Sequence, residues 1–160
     1  MPDTAERAVD PDLYEADEHA WIAEQVAALR SGQLHRLDRT HLAEFLTDMA
    51  LRDRRELKSR LTVLLHHLLK VRMQPERLTR SWVNTIVAQQ REVREIIAGI
   101  PSLGHEAEAF VAAAYPDAIR AASRDTGIPP ARFPAASPWT IETALAFDPP
   151  EPAPRAARGR

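Results

Sequence analysis

The stretch "LKSRLTVLLHHLLK", residues 57–70, repeats leucine at spacings of three and four residues and interrupts the run with two adjacent histidines. This is the spacing of one face of an α-helix. The predicted core face consists of Leu57, Leu61, Leu64, Leu65 and Leu68. His67 shares a second stripe with Arg60 and Lys70, whereas His66 falls on a different flank. The stretch therefore predicts a core helix that carries a polar stripe beside its buried face.

The predicted core helix continues on the N-terminal side of this stretch. No Gly or Pro interrupts the chain from Asp38 to Gln74, and Asp38 is a good N-cap residue. Pro75 cannot continue a helix and ends the run. We expect either one long helix or two helices with a break in the charged stretch 51–54.

The flanking segments show helix signals of their own. Asp10 and Pro11 suit a helix start, and Gly32 suits its end. A further helix, rich in Ile and Val, closes before Pro101, and an alanine-rich one follows up to Gly127. Each segment has the apolar periodicity of a helix that packs on a neighbour.

Prolines mark two local features of the C-terminal half. Pro116 lies inside the alanine-rich pattern, so a kink is expected near residues 112–114. Ser137 and Pro138 suit the start of a short last helix. Beyond it, the chain becomes rich in proline and arginine.

Strand signals are nearly absent, since no alternating run, Asn-Gly turn or internal repeat occurs. The predicted fold is all-α: a single-domain, up-and-down-like helical bundle of about five to six helices. Residues 1–10 are predicted to be a flexible lead-in, residues 11–147 the bundle, and residues 148–160 a disordered tail.

Composition narrows the class of protein. The chain of 160 residues is 44% hydrophobic and 28% charged, a balance typical of a globular domain. It has no cysteine, which excludes disulfides, thiolate metal sites and a cysteine nucleophile. It contains no apolar run of the roughly 18 residues that a membrane span needs, and its N-terminus lacks a signal-peptide core. These features predict a cytoplasmic protein without a membrane partner.

Charge is distributed unevenly along the chain. Residues 1–51 contain eleven acidic and four basic residues, whereas residues 52–80 contain nine basic and three acidic ones. Such asymmetry is compatible with a nucleic-acid surface, or with an acidic helix that packs beside a basic one. We favour internal pairing, because basic patches that bind nucleic acid usually give a clearly basic domain. The arginines of residues 52–60 project on several sides of a helix, which favours a solvated charged face over a DNA-binding one.

Polar side chains near the core helix form the candidate site. A small anion could be held by cations beside a flat apolar wall, an arrangement suited to oxyanions. The candidate ligand-binding residues are His67, Lys70, Arg91, Arg60 and Trp82. The candidate acidic partners of these cations are Asp17, Glu44 and Asp48. The alternative, which we favour, is structural: the cations pair with these acids, His67 is hydrogen-bonded at the edge of the core, and Trp82 is a core anchor.

The sequence predicts no metal and no cofactor. A carboxylate-bridged metal site in a helical bundle typically has Glu-x-x-His on two helices, and "HLAE", residues 41–44, is the reverse order and occurs once. Adjacent His66 and His67 point about 100° apart on a helix and cannot easily grip one ion. No glycine-rich phosphate loop or Gly-x-Ser-x-Gly nucleophile motif is present either.

Several short motifs together resemble a bacterial family known as domain of unknown function 29. The motifs are Ser59-Arg60-Leu61, His67-Leu68-Leu69-Lys70, Gln74-Pro75, Ser81-Trp82, Thr85-Ile86 with Gln90-Arg91, the N-terminal Tyr14, Asp17 and Trp21, Leu37-Asp38, Pro101-Ser102-Leu103, Phe133-Pro134 and Ser137-Pro138. The chain departs from the family at Glu44-Phe45, where members often have two acids. The resemblance covers residues 12–147 and implies an all-helical fold, without implying a catalytic residue.

Three functions from different classes are compatible with these features. We favour a module for macromolecular interaction or self-assembly, with a protein partner or a second copy of the chain. The first alternative is a protein that binds a small anionic ligand, or an enzyme, with a polar pocket around His67, Lys70 and Arg91. The second is nucleic-acid association through residues 52–80, which is the least favoured partner. The sequence points to no particular reaction.

Overall fold

The computed structural model describes residues 13–152, and these residues form six α-helices and no strand. The predicted all-α fold is confirmed. The helices are α1 (Leu13–Ala16), α2 (Glu18–Arg30), α3 (Arg39–Met73), α4 (Arg80–Gly99), α5 (Pro101–Thr126) and α6 (Ile141–Ala146). The predicted lead-in 1–10, the cap at Asp10 with Pro11, and the tail from residue 153 lie outside the described residues.

The described part of the chain divides into two compact units, unit 1 (residues 13–52) and unit 2 (residues 53–152), with the boundary inside α3. The helix itself is continuous from Arg39 to Met73, so the prediction of one long helix is confirmed. The boundary between the units nevertheless falls in the charged stretch 51–54, where the sequence had offered a break. The predicted extent of one domain, residues 11–147, stays a prediction.

Unit 1 contains α1, α2, a 3-10 turn at Leu34–Arg36 and the start of α3. Asp17 separates α1 from α2 as an N-cap, because its side chain accepts a hydrogen bond from the Ala20 backbone N–H at 3.0 Å. The sequence prediction of one helix up to Gly32 was wrong at this point. Gly32 has a φ of +71°, a backbone conformation that glycine adopts readily, and it follows the end of α2.

Unit 2 is built around the leucine face of α3. The predicted core leucines are all completely buried, together with Leu69. Helix α4 adds Ile86 and Val93, and α5 adds mainly small residues. The buried alanines of α5 are Ala107, Ala114, Ala118 and Ala122. Such small side chains let the backbones of neighbouring helices approach closely.

A single residue, Ile100, joins α4 to α5. Gly104 lies in the first turn after this joint, where a Cβ atom would come within 3.1 Å of the Ile97 carbonyl oxygen. Glycine therefore permits the close approach of the two helices at their connection. At the other end of α5, Gly127 takes a φ of +73° and ends the helix as predicted.

Two predictions about the C-terminal half had different outcomes. Helix α5 continues on both sides of Pro116, and the predicted kink near residues 112–114 stays a prediction. The predicted start of the last helix at Ser137 and Pro138 was wrong, because α6 begins at Ile141 with Thr140 as its cap. Thr140 and Thr143 bond reciprocally in a capping box, whereas the Ser137 hydroxyl is engaged with the backbone of Trp139.

The leucine face predicts a large difference between core and surface substitutions. We expect Leu65→Ala to lower the free energy of unfolding by about 2–5 kcal/mol, because it removes a completely buried side chain and leaves a cavity. Val87→Ala, on the exposed side of α4, should change it by less than about 0.5 kcal/mol. Urea unfolding followed by circular dichroism measures both, and equal effects of the two substitutions would contradict the assignment of this core.

Candidate functional site

Lys70 occupies the centre of the predicted site. It is buried at the end of the leucine face, and its Nζ lies 2.9 Å from Oδ2 of Asp125 on α5. The same ammonium group lies 4.3 Å from the centre of the Trp82 ring. A buried ammonium group is costly unless it is paired, and here a carboxylate and an aromatic face both stabilise it. Lys70 and Trp82, two of the candidate residues, therefore lie in contact, with Asp125 as a further neighbour.

His66 contacts the same carboxylate. Its Nε2 lies 3.0 Å from Asp125 Oδ2, and because a carboxylate only accepts, Nε2 carries the proton. Burial lowers the pKa of His66, and the charges of His67 and Lys70 lower it further, against the opposing effect of Asp125. The hydrogen bond from Lys70 lowers the pKa of Asp125, while burial opposes this shift. Asp125 is thus held as an anion between two donors.

The His67 side chain forms its hydrogen bond within its own helix. Its Nδ1 donates to the Val63 carbonyl oxygen at 3.0 Å, since a carbonyl can only accept. Burial lowers the pKa of His67, and the bond to Val63 opposes this shift. The two histidine rings lie 4.6 Å apart between centroids. Neither ring is arranged to take up a second proton at low cost, so the pair favours the neutral state.

The two arginines of the predicted site meet at a different carboxylate. Arg60 lies 3.3 Å from Glu56 and 3.8 Å from Glu92, and Arg91 lies 2.8 Å from Glu92. The Arg91 side chain is 68% exposed, and its hydrogen bond to Glu92 raises its pKa. These ion pairs fit the structural role that we favoured for the cations. An anion-binding role for His67, Lys70, Arg91, Arg60 and Trp82 stays a prediction.

The three candidate acids all lie in unit 1, whereas His67 and Lys70 lie in unit 2. Asp17 caps α2, a role that the sequence interpretation missed. Glu44 and Asp48 lie near Tyr14. Burial is the largest cause of the raised pKa of Tyr14, and the charges of these two acids raise it further. Their predicted pairing with the cations of the site stays a prediction.

Asp125 is the acid that sequence reasoning missed. It lies in the last turn of α5, in "SRDTG", where a charged residue before a glycine cap looks like ordinary helix-end chemistry. Its partners are more than 50 positions away in the chain. Helical periodicity shows which residues share a face, but it does not show which turn of α5 lies beside which turn of α3.

A second polar cluster, in unit 1, surrounds Asp38. Its carboxylate lies 2.6 Å from Nδ1 of His41 and accepts the Trp21 indole N–H at 3.2 Å. The ring of Tyr14 stacks on His41 with centroids 4.4 Å apart. Burial opposes ionisation of Asp38, but the bonds from His41 and Trp21 lower its pKa overall. Tyr14, Trp21 and Asp38, which carried part of the family resemblance, thus form one cluster with His41.

Four of the nine cations in the basic segment 52–80 form ion pairs with acids of unit 2: Arg54, Lys58, Arg60 and Lys70. Arg54 lies 2.6 Å from Glu106 and also stacks over the Phe110 ring at 5.0 Å, and Lys58 lies 3.1 Å from Asp117. The acids that pair with this segment come mainly from α4 and α5. No group of three or more potential metal ligands comes together among residues 13–152. None of the described helices has the length and apolar character needed to cross a membrane.

These features define an all-helical protein with polar clusters at the edges of its core. The family model "Domain of unknown function DUF29" matches residues 13–148, and the chain belongs to this family. The resemblance noted in the sequence is therefore confirmed. No curated protein and no solved structure matches the chain.

The histidine pair predicts how stability depends on pH. Both pKa values are lowered in the folded state, so the unfolded chain binds protons more readily as the pH falls below the ordinary histidine value of about 6.5. The free energy of unfolding should therefore decrease from pH 7 to pH 5. We expect the slope to flatten in the double variant His66→Gln/His67→Gln. Urea unfolding at several pH values measures the free energy of unfolding and therefore this slope.

The matched control is His105→Gln, on the exposed surface of α5, which should keep the slope of the parent protein. The pKa of Asp125 is lowered in the folded state, so its pairing with Lys70 stabilises the fold down to a lower pH. This contribution to stability is lost only below the ordinary aspartate pKa of about 3.8. An unchanged slope in the double histidine variant would show that other groups bind the protons between pH 7 and pH 5.

The Lys70–Asp125 pair predicts an asymmetry between its two halves. Asp125→Asn leaves a buried ammonium group without its anion and should cost about 1–3 kcal/mol of unfolding free energy. Lys70→Met keeps the apolar stem against Trp82 and leaves Asp125, whose side chain is 42% exposed, to water and His66, so it should cost less than about 1 kcal/mol. Urea unfolding at pH 7 tests the order. The reverse order would mean that Asp125 depends on Lys70 more than Lys70 depends on Asp125.

Proposed function

We propose that the chain is a self-associating interaction module and that unit 1 carries the contact surface. The observation behind this proposal is the distribution of exposed apolar side chains. Seven large apolar residues are exposed among residues 13–152, and six of them lie in unit 1. These six are Val26, Leu29, Leu34, Leu46, Met49 and Leu51. Concentrated exposed apolar surface of this kind is typical of interaction sites.

The core of unit 1 is small. Only Trp21, Gln25 and Ala28 are buried among residues 13–52. The Gln25 side-chain oxygen accepts the Asp38 backbone N–H at 2.8 Å, but its buried Nε2 has no hydrogen-bond partner in the described part of the chain. So few buried residues supply little hydrophobic stabilisation. A partner that covers the apolar surface would supply what unit 1 lacks.

Four of the six exposed residues form two pairs at helical spacing, and the members of each pair share a surface. Val26 and Leu29 are three positions apart on α2, and Leu46 and Met49 are three positions apart on α3. Residues at this spacing are neighbours on a helix surface. The residues therefore offer apolar stripes, which suits packing against another helix better than it suits a small ligand.

Charge complementarity favours a second copy of the chain as the partner. Helix α2 begins with acidic Glu18 and ends with basic Arg30. A two-fold symmetric contact uses the same patch on both copies. If the two α2 helices pair antiparallel, each acidic end meets a basic end of the other copy, beside the apolar stripe of Val26 and Leu29. We place this dimer in the cytoplasm, as predicted from the sequence.

The test is the mass of the full chain in solution. We expect sedimentation or light scattering to give twice the 17.9 kDa mass of the chain. Leu29→Glu should weaken the dimer at least about tenfold, because it places a charge in the apolar contact. The control is Val87→Glu on α4: Val87 is 52% exposed, as is Leu29, and its substitution should leave the mass unchanged.

A charge exchange tests the antiparallel arrangement. Glu18→Arg and Arg30→Glu should each weaken the dimer, and the double variant should restore it, because the acidic and basic ends then simply change places. Circular dichroism checks that each variant keeps its helix content. If the chain remains monomeric at all concentrations, the proposal is wrong, and the partner that binds this surface is a different protein. Lack of restoration in the double variant overturns the antiparallel arrangement.

A further inference from the structure

A groove in unit 2 is independent of the surface proposed for self-association. It lies between α5 and the segment that precedes α6, and its volume is about 370 Å³. Apolar walls come from Val111, Tyr115, Pro116, Pro138 and Trp139. The volume falls within the range of pockets that bind small ligands, about 300–1,000 Å³.

The wall of the groove is held in place by the chain itself. The Tyr115 hydroxyl donates to the Pro134 carbonyl oxygen at 2.9 Å. The Ser137 hydroxyl donates to the Trp139 carbonyl oxygen at 2.7 Å and accepts the Trp139 backbone N–H at 3.2 Å. Phe133, at the start of the segment, is buried in the core. Such fixed walls lower the ordering cost of binding.

The polar groups of the groove are mainly hydrogen-bond acceptors. The hydroxyls of Tyr115 and Ser137 already donate within the protein. Pro116 has no N–H, so the carbonyl of Ala112, four residues earlier and also in the lining, lacks its regular helical donor. A ligand that fits these groups must bring donors of its own.

Glu108 is the one charged residue in the lining of this groove. Its Oε2 accepts the Ile141 backbone N–H at 2.8 Å, which fixes the carboxylate at the start of α6. The other carboxylate oxygen can accept from a ligand. The face of Trp139 is a second feature that attracts positive charge, because aromatic rings bind cations over their faces.

We propose that this groove binds a small organic cation, an ammonium group carried on an apolar body. The apolar body lies against Trp139 and Pro116. The ammonium group donates to the Glu108 carboxylate and the Ala112 carbonyl. Neither unit 1 nor the Lys70 cluster takes part in this binding. The test of ligand binding is therefore independent of the test of self-association.

The test compares 2-phenylethylammonium with 2-phenylethanol, which has the same ring and linker but no charge. Binding to the full chain is followed by titration in ¹⁵N-correlated nuclear magnetic resonance spectra. We expect the ammonium ion to bind at least about fivefold more tightly, the ratio given by roughly 1 kcal/mol of ionic contact at a partly exposed site.

Three variants locate the site. Glu108→Gln keeps an oxygen that can accept the Ile141 N–H, and it should remove the preference for the ammonium ion without changing the affinity for the alcohol. Glu142→Gln, an exposed glutamate on α6 outside the lining, is the matched control and should keep the preference. Ala136→Trp fills the groove and should abolish binding of both compounds.

Several outcomes would overturn the proposal. One is no binding of the ammonium ion by the parent chain, and another is equal affinity for the ion and the alcohol. Equal losses in Glu108→Gln and Glu142→Gln would show general attraction to an acidic surface instead of a site. Binding that persists in a folded Ala136→Trp variant, with its helix content checked by circular dichroism, would place the ligand elsewhere.

Discussion

The complete burial of one leucine face on α3 is the constraint on which unit 2 depends. Six leucines between positions 57 and 69 have no exposed surface, including the adjacent pairs at 64–65 and 68–69. Adjacent residues point about 100° apart on a helix, so α3 must be covered over a wide arc. Helices α4 and α5 contribute buried residues to the cluster that covers this face.

The polar cluster follows from the same constraint. Lys70 directly follows Leu69 at the edge of the buried arc, so its stem is buried and its charge must be neutralised nearby. Asp125 and the Trp82 ring do this from α5 and α4. The packing that hides the leucines also removes water from His66 and His67 and lowers the pKa of each. The chemistry of this cluster is thus that of a core edge, where neutral histidines and a compensated ammonium group cost least.

Sequence reasoning succeeded where the physical signal is local. The leucine periodicity and the glycine ends at Gly32 and Gly127 each depend on a few neighbouring residues. So does the cap at Asp38, whose carboxylate accepts the His41 backbone N–H at 3.2 Å at the start of α3. It failed where several local candidates compete or where partners are distant. Ser137 and Thr140 are both good caps, and only the reciprocal bond of Thr140 with Thr143 decides between them. Asp125 was missed because its role depends on the pairing of helices, which no periodicity encodes.

The two units differ in how completely they bury their apolar side chains and pair their charges. In unit 2 the leucines are buried, and the cations of residues 54–70 are largely paired with acids of α4 and α5. Unit 1 buries only three of its described side chains and leaves six large apolar ones exposed. A partner that binds only the folded state of a unit adds to its stability, so that binding and folding are coupled. In the self-association that we propose, covering the apolar surface of unit 1 would therefore also stabilise the α2 helix.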